Sequence, residues 1–156
     1  MTKIFSMQPL VHLAHQKNDD ATRKFGQIIQ QQQAAQTKLH TLEQYRKDYQ
    51  TQLQQSVKNG ITQISLRNFQ DFIRRLDEAV AQQRDVIEQI RLSMNAGRNE
   101  LANTQRKMKS FDTLAQRHLE SEKKVEEKLE QRQQDEHTGR HSALKAMEAM
   151  AAKDII

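Results

Sequence analysis

The six histidines are the side chains of this sequence best suited to binding a metal. Only His12/His15 and His137/His141 are spaced so that a helix would bring two imidazoles to one side. Neither pair reads as a site. Two imidazoles without further ligands do not make a tetrahedral centre, and Thr138-Gly139 is expected to interrupt the helix that the second pair needs. With no Cys in the chain, disulfides and thiolate metal sites are excluded, which suits a reducing compartment. No phosphate-cradling loop or dinucleotide glycine motif occurs. The sequence therefore predicts no catalytic residue, no metal and no cofactor. An enzyme is not expected, because a thin helical rod offers no concave pocket in which a pKa could shift.

Charge chemistry is the next possibility, since the chain carries a net charge of +5 and a pI of about 9.6. Arg74, Arg75, Arg84, Arg91 and Arg98 are, however, interleaved with Asp71, Asp77, Glu78, Asp85 and Glu88. Mixed signs at helical spacing form a solvated, ion-paired face rather than the clustered basic surface that nucleic acid requires. No nucleic-acid partner is expected. Recognition of another protein is the remaining chemistry. Tyr45, Phe72 and Ala79 are apolar residues lying one position beside the main apolar stripes, next to Leu42, Tyr49 and Leu76. Tyr45 and Phe72 either widen the core or, as is more often the case for an exposed aromatic patch on so polar a chain, form a docking surface.

The elements that must position this strip follow from periodicity. Steps of alternately four and three residues from Met7 to Ser56 give fifteen positions, of which eleven are apolar. The same stepping from Phe69 to Ala115 gives fourteen positions, again with eleven apolar. A composition of 35% hydrophobic residues would place about five in each set by chance. The period is 3.5 residues, that of a left-handed coiled coil. Between the stripes stands Lys58-Asn59-Gly60-Ile61, where Gly60 suits the left-handed conformation that closes a helix, and Thr62 or Ser65 can cap the next one.

The expected fold is all-α: a long two-helix antiparallel coiled-coil hairpin with an overhanging C-terminal helix. Its parts would be helix 7–57, with Ser6 as cap and Pro9 in the first turn, loop 58–65 and helix 66–136. Residues 1–136 form the hairpin on this reading, and 137–156 a flexible or partner-bound segment. Facing positions should sum to about 125, so that Gly97 meets Ile28 beside Phe25 and Phe111 meets Ala14, large against small. Asn18, Gln32 and Arg46 are polar residues on the stripe, which cost stability and fix register. With 4% aromatic residues and a mean hydropathy of −0.94, one thin seam is all that can be buried. No apolar run spans a membrane and no signal-like start occurs, so a cytoplasmic protein without membrane insertion is expected.

With hairpin, turn and strip in place, the chain resembles the FliJ family of flagellar type III export proteins. The resemblance rests on Leu42 to Tyr49, on Asn59-Gly60-Ile61, and on Asn68-Phe69-Gln70-Asp71-Phe72-Ile73 with Leu76, Ala79 and Val80. It implies a cytoplasmic stalk, similar in shape to the γ subunit of rotary ATPases, whose termini enter the pore of the hexameric flagellar export ATPase. The resemblance also implies peripheral association with the inner membrane, through the cytoplasmic domain of the export gate protein, and handling of flagellar export chaperones. The gate-binding strip of the family would correspond here to Leu42, Tyr45, Tyr49, Phe72, Leu76 and Ala79, with Lys38 and Gln83 at its ends. Leu13, Lys17, Arg117 and Leu119, at the end where the termini meet, would be the ATPase contacts. The stalk of a virulence-type secretion ATPase and a generic scaffolding coiled coil remain the alternatives.

Overall fold

The computed structural model describes residues 4–155, and contains two helices, α1 (Gln8–Asn59) and α2 (Gln63–Lys153). Residues 15–107 form one compact unit and residues 4–14 with 108–155 form another. All fifteen positions of the first stripe and all fourteen of the second are buried or half-buried, including the polar ones. The 3.5-residue repeat therefore marks the buried line of both helices over its whole length.

Within residues 15–107 the two helices run antiparallel about Gly60, whose φ of +90° is open to glycine at no steric cost. Its N–H reaches the Val57 carbonyl at 3.4 Å and ends α1. The link is shorter than the expected 58–65: α1 continues to Asn59 and α2 starts at Gln63, leaving Gly60, Ile61 and Thr62. Thr62 is the reason. Its hydroxyl accepts from the Ser65 N–H at 3.3 Å and its carbonyl from the Leu66 N–H at 3.0 Å, so helical pairing begins there.

Register follows from specific pairs. A Cβ added to Gly97 would stand 3.3 Å from both Ile28 Cδ1 and Phe25 Cδ2, the large-against-none packing that the sequence predicts. Arg46 pairs with Asp77, and Arg84 with Glu43 at 3.2 Å. Thr104 Oγ1 lies 3.4 Å from Asn18 Oδ1. The seam is thin: Ala21, Ala35, Leu76, Val80 and Gln83 are its buried residues in this unit, each 6–7% exposed. Gln83 adds a fixed polar contact, its amide donating to the Ala35 carbonyl at 2.9 Å.

In the second unit the N-terminal segment lies along α2, with Val11 and Ala14 buried and the Phe5 ring 5.1 Å from that of His118. The helix starts at Gln8, one residue later than expected. The Met7 carbonyl accepts from Leu10 and Val11, so the cap position falls on Met7 rather than Ser6. From Lys123 to Ile155 every described residue of α2 and its end is exposed. The expected stop at 136 is absent, and the helix runs through Thr138-Gly139 to Lys153. One glycine costs only about 1 kcal/mol against alanine in a helix, and the following Ala143 to Ala152 stretch is rich in the strongest helix formers.

Candidate docking surface

An antiparallel pair of helices has two flanks beside its seam. In each four-residue step of a stripe, the residue just after a seam position lies on one flank and the residue just before the next lies on the other. Because the helices run in opposite directions, like positions of both share a flank. Glu43, Asp77 and Arg84 are all of the first kind, and both interhelical ion pairs near the turn, Arg84–Glu43 and Arg46–Asp77, use them.

The other flank carries Lys38 and Tyr45 from α1 and Phe72, Ala79 and Val86 from α2. Among the described residues no ion pair crosses the helices there between 38–52 and 69–86. Tyr45 is 54% exposed, Phe72 39% and Val86 44%, with Ala79 half-buried between them. The Tyr49 ring packs on Phe72 with centroids 4.3 Å apart, and against Phe69 edge-on at 6.3 Å. Phe72 is thus packed on Tyr49 while still partly exposed. Leu76 is buried beneath, so it supports the strip rather than forming its surface.

Leu42, Tyr45, Tyr49, Phe72, Leu76 and Ala79 are brought to one region, as seam or as flank. Lys38 is exposed on the same flank. Gln83 is not at the surface: at 7% exposure, with its amide committed to Ala35, it belongs to the seam. Val86 was missed by the sequence reading, although it stands seven residues beyond Ala79 and fourteen beyond Phe72, and that spacing would have found it.

Leu13 is 45% exposed, Leu119 59%, and Arg117 is exposed, all in the unit that contains the N-terminal segment. Lys17, also exposed, belongs to the other unit. No group of three His, Cys, Asp or Glu side chains among the described residues could hold a metal. His137 and His141 do keep their helical spacing, since Gly139 does not break α2, yet they stand exposed without further ligands. Arg91 hydrogen bonds hold the Glu88 carboxyl below the usual carboxylate range, on a fully exposed surface. No described helix is long and apolar enough to cross a membrane.

Within residues 15–107 the two helices form an antiparallel hairpin with an exposed aromatic strip on one flank. The family model described as flagellar FliJ protein matches residues 2–146. The flagellar FliJ protein of Escherichia coli is 27% identical over 135 residues, covering 86% of this chain and 92% of the relative. That of Salmonella typhi is 26% identical over the same shares. No solved structure matches the chain. The chain belongs to the FliJ family.

Proposed function

We propose that this chain is the stalk component of the flagellar type III export apparatus, coupling the hexameric export ATPase to the cytoplasmic domain of the export gate and assisting export chaperones. It works on the cytoplasmic side of the inner membrane, held there by the apparatus. Membership of the FliJ family supports the flagellar setting. The observation that carries the gate contact is the flank of Tyr45, Phe72 and Ala79, exposed and free of crossing ion pairs while its opposite is zipped by Arg46–Asp77 and Glu43–Arg84. Aromatic anchors at such a face can supply most of the energy of a modest interface.

The test is the variant Tyr45→Ala/Phe72→Ala, which substitutes no seam residue and costs the seam only the Phe72 contact of Tyr49. Loss of a true anchor costs about 2 kcal/mol or more, and about 1.4 kcal/mol is tenfold. The double variant should bind the gate domain at least tenfold more weakly, with helicity and ATPase stimulation near wild type. Normal gate binding by a folded double variant would sink this reading of the strip.

A further inference from the structure

The open flank continues well past the aromatic strip. Within residues 15–107 its α1 positions are Lys17, Lys24, Gln31, Lys38, Tyr45 and Gln52, and its α2 positions run on from Val86 through Ser93 and Glu100 to Lys107. Phe72 to Val86 spans two heptads, about 21 Å of helix. Beyond them the flank positions change character: they hold Lys17, Lys24, Lys38 and Lys107 and one carboxylate, Glu100, while Asp20, beside Lys17 and Lys24 on α1, is paired with Arg23 at 4.0 Å. None of these lysines takes part in an ion pair between the two helices. The surface is therefore a groove between helices, apolar near the turn and basic farther along, whose features recur every seven residues.

We propose that this flank receives an amphipathic helix of the partner, laid along the groove as a third helix, with an apolar stripe over Tyr45, Phe72, Ala79 and Val86 and carboxylates over the lysines. The spacing selects a helix. Side chains offered at heptad intervals along a supercoiled pair stay in register with a partner of the same 3.5-residue repeat, whereas a strand, rising about 3.3 Å per residue, meets them out of phase. Charge selects an acidic helix, since excess lysine steers and orients an anionic partner. A second copy of this chain is disfavoured because its own open flank offers four lysines and one carboxylate, no complement to itself. The identity of the partner as the export gate rests on the function proposed above; the helical, acidic character of what binds does not.

The absence of Cys makes the test direct. Val86→Cys provides a single attachment point in the full chain, to be paired with single cysteines scanned along the gate's cytoplasmic domain. Cross-linking should recur every three to four partner residues. Recurrence at every second residue, or no periodicity, overturns the proposal while leaving gate binding as such intact. Lys24→Glu/Lys38→Glu should weaken binding by about tenfold and flatten its salt dependence without loss of helicity; unchanged affinity removes the acidic component. If the gate domain fails to bind the wild-type chain, a synthetic acidic heptad peptide and its charge-reversed counterpart serve as probes, and equal binding of the two overturns the inference. Sedimentation equilibrium of the chain alone should show a monomer; a dimer dissolved by Phe72→Ala would make the occupant a second copy and refute the proposal.

Discussion

Gly97 gives the sharpest test of the packing, because an internal control lies on the facing helix. Alanine at Gly97 would bring its Cβ to 3.3 Å from Ile28 Cδ1 and Phe25 Cδ2, whereas at Gly26 nothing stands within 4 Å. Both glycines lie inside helices, so alanine gains about 0.8–1 kcal/mol of helix propensity at either site. At Gly26 that gain is the whole effect. At Gly97 it is opposed by overpacking, which costs about 1–3 kcal/mol when the neighbours must move. Phe25 and Ile28 are half-buried on consecutive turns of one stripe, and relief of one pushes it along the seam toward the other. Gly26→Ala should thus stabilise by about 1 kcal/mol and Gly97→Ala should be neutral to destabilising by about 2 kcal/mol. With a urea m-value of about 2 kcal/mol per molar, the two midpoints should differ by at least about 0.5 M. Circular dichroism during urea titration measures this. Equal stabilisation by both substitutions would show that Gly97 does not face Ile28, and the register argued here would be wrong.

Gln83→Ala should destabilise by about 1–3 kcal/mol in the same titration, since it removes a buried amide and leaves a void. Gln83→Leu should be close to neutral, because a volume-matched apolar group exchanges one hydrogen bond for burial; if both variants lose stability equally, the hydrogen bond to Ala35 and not the side-chain volume is what Gln83 contributes. Deleting residues 119–156 removes Leu119 and the exposed length of α2 while sparing residues 15–107. ATPase binding or stimulation should fall with gate affinity unchanged, and an unaltered ATPase response would remove this segment from the mechanism.

The strip was partly legible beforehand. Tyr45, Phe72 and Ala79 stand out because apolar residues beside a regular stripe break its pattern, and Tyr49 and Leu76 follow from the same register. Gln83 stands on the apolar stripe, and only the family resemblance set it at the end of the strip. Its stripe position already pointed inward, but only the Ala35 carbonyl shows how its amide is satisfied there. The loop was overestimated because Thr62 and Ser65 offered equal cap chemistry, and the choice between them depends on how early the chain turns.

By itself the sequence determined the two helices, the buried line of each, the turn at Gly60 and the meeting of Gly97 with Ile28 and Phe25. These are fixed by a one-dimensional rule: a 3.5-residue apolar repeat has one seam, and a left-handed glycine sets where it folds back. Tertiary structure alone decided that the opposite flank is closed by Arg46–Asp77 and Glu43–Arg84 and that Val86 extends the open one. The reason is that charged residues occur on both flanks, and only the distance across the pair selects which of them meet.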